Sequence, residues 1–539
     1  MKKQLVYLLT GWLMCGMGLQ ARAQVEPLFT YKISRDEACN RWVESQMKQM
    51  NLREKIGQLF IYTIAPDRSK RNLALLKNVV HTHKVGGLLF SGGKLDNQAL
   101  LTNQAQKMAD VPLMITFDGE WGLSMRLRGT PVFPKNMVLG CIQDDRLIYE
   151  YGQEMARQCR ELGVQVNFAP VADVNINPQN PVINVRSFGE NPLLVADKVI
   201  AYASGLESGR VLSVAKHFPG HGDTDVDSHK ALPVLPFTRE RLDSVELYPF
   251  RKLIHAGLGG VMVGHLQVPV FEPIGKLPSS LSRNVVYTLL TEKMAFKGLI
   301  FTDALAMKGV SSAQKVCLQA LKAGNDVVLA PRDVQKEIDY VVEAVKKGEF
   351  SEEEIDERCR KVLLFKYAMG LNRKPVVRLS GLERRINTPH TRDLIRRLNL
   401  AAVTVLNNEK GVLPIHPDVK KVAVLTVGKV KELEAFTNEL KKYVEVHTFE
   451  LGKQMPDSLQ QKLRDSLSAY RRIIVPVNEI RLAPYQSFFA KFAPQVPVVY
   501  AFFTPAKLML QIHRAISNAS SVVLGHTDSD EVQEQIAAL

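Results

Sequence analysis

Two periodicities alternate along this chain. Short uninterrupted apolar runs recur at intervals of roughly 25 to 50 residues, and between them apolar positions repeat at helical spacing. Runs near 59–62, 86–90, 113–117, 166–170, 212–215, 260–263, 298–301 and 326–329 read as strands. A strand covered on both faces is continuously apolar rather than alternating, which is the mark of a parallel sheet clothed in helices. Eight such strands alternating with helices predict a (β/α)8 barrel. Before the first strand, residues 24–50 place Trp42, Val43 and Met47 at helical spacing, and residues 351–371 predict an amphipathic helix after the last.

Beyond 371 the rhythm breaks at Pro375 and Gly381. A helical stretch then leads to Ala401-Ala402-Val403-Thr404-Val405-Leu406 and Val412-Leu413-Pro414, and residues 372–418 read as a linker. From Val419 apolar runs return near 422–427, 444–449, 473–477, 498–502 and 521–524, with helical stretches between. They predict a smaller open parallel-sheet α/β domain over 419–539, without a glycine-rich phosphate fingerprint.

The first 23 residues stand apart. Lys2 and Lys3 precede an apolar stretch over 5–19, and Ala21-Arg22-Ala23 offers a small-residue cleavage site. This is the pattern of a signal peptide, too short for a stable membrane span. The bulky Met14 before Cys15 favours cleavage over lipid attachment, so the barrel domain is assigned to 24–371 and the protein to the periplasm or the extracellular space. Of six cysteines five would remain, an odd number at spacings that show no disulfide framework. Net charge is +15, or +12 without Lys2, Lys3 and Arg22. The basic residues are dispersed and little interleaved with aromatics, so nucleic acid is not an expected partner; an anionic envelope polymer suits an exported basic surface better.

The chemistry concentrates in residues 216–229, K-H-F-P-G-H-G-D-T-D-V-D-S-H, directly after the fifth apolar run. Three histidines and three aspartates in fourteen residues exceed what a connection needs. Loops at the carboxyl ends of barrel strands are where such folds place reacting groups. A solvated turn is one reading. A metal site built from His217, His221, Asp223 and His229 is another, but no helical histidine pair, cysteine pair or second carboxylate cluster supports it. The third takes Asp227-Ser228-His229 as a dyad in which the carboxylate orients an imidazole whose ordinary pKa, about 6.5, suits acid/base work. Further polar groups follow other strands: Asp118-Gly119-Glu120-Trp121-Gly122 after the third, Asp173 and then Arg186 after the fourth, His265 after the sixth, Asp303 after the seventh.

The block K-H-F-P-G-H-G followed by D-S-H resembles the signature loop of the β-N-acetylglucosaminidase branch of glycoside hydrolase family 3. The segment 50–59 resembles the family's usual opening, and the connector near 401–414 its link between domains. The resemblance implies a barrel followed by an α/β domain, here shorter than usual. It implies Asp303, within Thr302-Asp303-Ala304-Leu305-Ala306-Met307, as the nucleophile, and His229 as acid/base oriented by Asp227. It also implies that Asp118, Arg186, Lys216 and His217 bind sugar hydroxyls, and that neither metal nor cofactor takes part. One departure is Trp121, where the family usually has the first glycine of D-x-E-G-G. Either the loop does not need a glycine's freedom there, or the indole forms part of the sugar platform. Arg126 and Glu120 read as a structural pair outside the site.

The expected activity is retaining exo-hydrolysis of terminal β-N-acetylglucosamine from glycans or peptidoglycan fragments. The alternatives are a β-glucosidase or other family 3 glycosidase, whose members generally lack the D-S-H loop, and a catalytically silent carbohydrate-binding envelope protein, against which an intact Asp303 and His229 argue.

Overall fold

The computed structural model describes residues 36–228, 230–310, 313–408, 411–416, 418–517 and 519–539. The signal-peptide reading of residues 1–23 and the side chain of His229 lie outside them. Eight parallel strands form the first sheet: β1 Phe60–Ile64, β2 Gly87–Phe90, β3 Met114–Phe117, β4 Val166–Asn167, β5 Leu212–Phe218, β6 Gly260–Val263, β7 Leu299–Thr302 and β8 Val328–Leu329. Their spatial order is β8-β1-β2-β3-β4-β5-β6-β7. A parallel bridge between Phe301 and Val327 joins β7 to β8 and closes the ring into a barrel. Each strand lies where an apolar run predicts it. β4 is shorter than its run because Pro170 has no N–H to donate, although the Ala169 and Pro170 carbonyls still accept from Val214 N (2.9 Å) and Lys216 N (3.1 Å).

The helices are fastened by local chemistry that the sequence carries. In α1, Glu37–Gln49, the Asp36 carboxylate caps the amides of Ala38 and Cys39, and the helix buries Cys39, Val43 and Met47. In α2, Leu52–Gly57, Asn51 and Glu54 form a reciprocal capping box that sets the entry to β1. Helices α3 (Asp145–Glu161) and α4 (Pro192–Ser208) lead into β4 and β5, and α5 (Glu352–Ala368) closes the outer ring behind a Ser351 cap. Inside, Phe168 and Phe301 meet edge to face at 5.6 Å across the barrel. Five cysteines, Cys39, Cys141, Cys159, Cys317 and Cys359, are free thiols. Among the described residues no helix is long and apolar enough to cross a membrane.

The stretch read as a linker has structure of its own. It contains α6, Pro389–Ala401, which is tied to α3: Arg397 forks onto Glu150, and the Thr391 hydroxyl donates to Glu154 Oε1 at 2.7 Å. Strand β9, Thr404–Asn407, follows and belongs to the second sheet. The other members are β10 Lys421–Thr426, β11 Glu445–Glu450, β12 Ile473–Val477, β13 Val498–Phe502 and β14 Ser521–Leu524, in the order β9-β14-β13-β12-β10-β11. Five strands are parallel as expected, and β9 pairs antiparallel with β14, so the sheet is mixed at one edge. One face is covered by a core around Tyr485, Phe488, Phe489 and Phe492, the other by a core around Phe436, Leu440, Val532 and Ile536.

Candidate active site

At the carboxyl ends of the barrel strands, charged side chains from β3, β4 and β5 interlock. Lys216, within β5, reaches Asp118 Oδ1 at 2.5 Å and Glu120 Oε1 at 2.7 Å. Arg186 forks onto Glu120, Nε to Oε2 at 2.8 Å and Nη2 to Oε1 at 2.7 Å, while Arg126 holds the other oxygen of Asp118. Glu120 and Lys216 are almost wholly buried. Burial alone would push the Glu120 carboxyl up, but the charges of Lys216 and Arg186 outweigh it and hold the acid well below the carboxylate range. The same balance, with Lys216 as chief counter-charge, holds Asp118 low, and the two carboxylates in turn raise Lys216 against its burial. The network is therefore ionised, its members aligned by bidentate geometry.

Lys216 and His217 both serve this rim although neighbours on a regular strand face opposite ways. The register of β5 against β6 shifts between Ala215 and Phe218, which is the kind of irregularity that re-aims side chains. His217 Nδ1 lies 2.7 Å from Asp173 Oδ2, and Arg186 Nη2 is 3.3 Å from His217 Nε2. A guanidinium can only donate, so Nε2 is the acceptor and Nδ1 carries the proton toward Asp173. Asp173 Oδ1 also accepts the amides of His217 (3.1 Å) and His221 (2.7 Å). Its carboxyl is held low: burial opposes ionisation, and the His217 contacts override it.

Asp303 stands just past β7. Its amide donates to the Val263 carbonyl on β6 at 2.9 Å, and Oδ1 accepts from Ala304 N at 2.7 Å. The carboxylate is partly exposed, and among the described residues its second oxygen accepts no hydrogen bond. Burial favours the neutral acid here, yet the fields of His265, His217 and Lys216 and the Ala304 amide hold it below the ordinary carboxylate range. An ionised, incompletely solvated oxygen at a barrel mouth is chemically suited to nucleophilic attack.

Asp227 begins a tight turn, its carbonyl accepting the amides of Lys230 (2.8 Å) and Ala231 (3.0 Å). Ser228 is buried, and its carbonyl would lie 3.2 Å from a Cβ placed on Gly309, the residue that also faces His265. The turn thus packs on the segment that follows Asp303. The ligand set of the metal reading is divided among other partners: His217 with Asp173, His221 with Thr224 (2.8 Å), Asp223 with Arg241 (2.9 Å).

The barrel brings Asp118, Arg186, Lys216 and His217 into one cluster. The reading of Arg126 with Glu120 is corrected: Arg126 pairs with Asp118, and Glu120 is the buried carboxylate that spans Lys216 and Arg186. Asp173 is legible in the sequence as a polar residue past the fourth strand, but its hold on His217 is not. His265 is engaged by Ser280 (2.7 Å) and by the Ala304 carbonyl (3.1 Å), next to the nucleophile candidate. Trp121 has an ordinary backbone; the positive φ of this loop falls on Gly122, at 100°. The Lys135 ammonium sits over the indole, 3.4 Å from its centroid.

A parallel eight-stranded barrel with interlocked charges and an ionised aspartate at its carboxyl rim has the architecture of a barrel enzyme, with its polar groups on the face where such folds carry their chemistry. The profile described as the glycosyl hydrolase family 3 N terminal domain matches residues 51–365. The beta-hexosaminidase A of Pseudoalteromonas piscicida is 30% identical over 391 residues, covering 66% of this chain and 65% of its own length. The beta-N-acetylglucosaminidase/beta-glucosidase of Cellulomonas fimi is 27% identical over 388 residues, covering 69% of this chain and 68% of its own. Among solved structures, the family 3 beta-N-acetylglucosaminidase of Paenibacillus sp. str. FPU-7 superposes with a TM-score of 0.69 at 29% identity, over 90% of this chain and 96% of that one. The chain belongs to glycosyl hydrolase family 3.

Proposed function

We propose that the protein is a retaining exo-β-N-acetylglucosaminidase, exported by its amino-terminal segment and acting on terminal β-linked N-acetylglucosamine of glycans or peptidoglycan fragments. The observation that carries this is Asp303: an ionised carboxylate with one oxygen anchored to Ala304, beside the Asp118–Lys216–Glu120–Arg186 network. In the first step Asp303 attacks the anomeric carbon while the glycosidic C–O bond breaks. His229, oriented by Asp227, donates its proton to the departing oxygen. In the second step the same imidazole takes a proton from water, which displaces Asp303 from the sugar, so nucleophile and acid are both regenerated. Asp118, Lys216, Arg186 and His217 hold the sugar hydroxyls, and their charge-assisted hydrogen bonds strengthen as the pocket dries on binding.

The test is a panel of chromogenic β-glycosides with the purified protein. N-acetyl-β-glucosaminide should be turned over well, and glucoside and xyloside much less. The double name of the Cellulomonas relative makes glucoside cleavage the second reading, and a glucoside rate equal to or above the N-acetyl rate would establish it. Asp303→Ala should abolish all turnover. His229→Ala should retain the first step on substrates with good leaving groups and regain rate with azide, giving a β-configured glycosyl azide. Near wild-type rates for His229→Ala on natural oligosaccharides would remove the histidine from the mechanism.

A further inference from the structure

Outside the catalytic mouth, a marked excess of positive charge lies in residues 373–385, where Arg373, Lys374, Arg378, Arg384 and Arg385 are set against a single acid, Glu383. This segment borders two adjoining hollows of about 360 and 720 Å³ that share Arg378 and Arg385 and are together termed the groove. The larger is also lined by Gly163, Ser208 and Gly209. These residues end the helices that feed β4 and β5, so the groove opens at the amino ends of the strands, opposite Asp303.

The groove is built around a fixed guanidinium. Arg385 is held by Glu161 Oε2 at 2.7 Å and by the carbonyls of Ser380 and Arg378. Arg157 is likewise engaged by Glu154, both contacts at 2.7 Å. Arg160, Arg378 and Arg384, by contrast, make no ion pair among the described residues, and Arg378 and Arg384 are exposed. The smaller hollow, with Arg378, Arg384 and Arg385 around Ser380 and Gly381, presents guanidinium and hydroxyl donors with no resident acid of its own. Beside it Val376 is 82% exposed and Leu379 42%, which places apolar tips among the cations.

We propose that this face docks the protein on an anionic lipid surface, the hollow taking a headgroup phosphate while Val376 and Leu379 enter the glycerol and upper acyl layer. Planar guanidinium groups match phosphate oxygens in pairs. A soluble polyanion would be met by the cations alone. Protruding apolar side chains flanked by cations gain only where an interface offers hydrocarbon next to negative charge. Docked in this way, the barrel turns its catalytic rim away from the membrane, toward substrate in solution.

The experiment is cosedimentation of the protein with phosphatidylcholine vesicles, with and without phosphatidylglycerol. Binding should require phosphatidylglycerol and fall with added salt. Arg378→Glu with Arg384→Glu should weaken it about tenfold or more. Lys431→Glu with Lys462→Glu, the same charge change at exposed positions of the second domain, should leave it within about twofold. Val376→Asp should also weaken it, and every variant should keep wild-type turnover of the chromogenic substrate. Three results overturn the proposal: equal loss in both charge variants, equal binding to pure phosphatidylcholine, or capture of soluble polyphosphate by Arg378 and Arg384 without vesicle binding.

Discussion

Asp173 Oδ2 lies 2.7 Å from His217 Nδ1, and this contact turns the Nε2 edge of the imidazole toward Arg186. Because Arg186 can only donate to Nε2, the carboxylate and the guanidinium together permit one tautomer. Asp173→Asn would offer an amide where the carboxylate stood and favour the opposite tautomer, setting two donors against each other at His217 and Arg186. We expect kcat/KM for the N-acetylglucosaminide to fall on the order of 10²-fold, with most of the loss in KM. Steady-state kinetics check this, and an unchanged KM would mean that His217 orientation does not matter for binding.

Glu120 is the buried carboxylate common to Lys216 and Arg186. Glu120→Gln removes its charge and leaves the buried Lys216 and the partly buried Arg186 sharing less negative charge. A loss of about 3 kcal/mol in denaturant unfolding is expected, with a raised KM, since truncating one partner of a buried pair strands the others. Wild-type stability in this variant would show that Asp118 alone satisfies Lys216.

The pH dependence of kcat/KM should be bell-shaped. Asp303 must be ionised to attack and its carboxyl is held low, so the acid limb should lie below about pH 4. The basic limb should follow loss of the proton that the acid donates, and vanish in His229→Ala with an activated substrate. A basic limb that persists in that variant would assign the acid to another group.

Far from the mouth, burial pushes the Glu207 carboxyl up to about 8; Oε1 accepts from Ser213 and Gly259, and Oε2 has no hydrogen-bond partner. A folded-state value above the unfolded one means the folded protein binds the extra proton. Stability from this group is therefore present below the unfolded carboxyl value and is lost as pH rises through about 8. Melting temperatures between acid and mildly alkaline pH should fall less steeply for Glu207→Gln than for wild type. Parallel curves would mean that the group ionises without cost.

Gly122, not Trp121, carries the loop's positive φ, and a Cβ at 122 would lie 3.0 Å from the Phe133 ring. Gly122→Ala should destabilise by about 1–3 kcal/mol, and Trp121→Ala by less, in paired thermal melts. A reversed order would contradict the loop geometry.

The order of the barrel strands and most of their limits are written in local sequence, because a strand buried on both faces must be apolar throughout and its neighbours must be helices. The loop over 216–229 is likewise legible, since its glycines and proline stop regular structure and leave its polar groups at a strand end. Residue type and position past a strand end mark Asp118, Arg186, Lys216, His217 and Asp303 alongside Asp173 and His265, and only the family resemblance singles out the first five. Partnership was not legible. Asp118 and Lys216 are 98 positions apart, and Glu120 and Arg186 are 66, so only closure of the barrel brings them into contact. The pairing of Arg126 with Asp118 rather than Glu120 follows from where each side chain leaves the β3 loop, which spacing does not encode. Strand β9 stayed hidden for the same reason. It is a short edge strand, with Val405 and Leu406 exposed, and its partner β14 lies more than a hundred residues away. Local patterns thus determine which residues stand at the rim, and the tertiary fold decides which charges meet, which are buried, and hence which protons they hold.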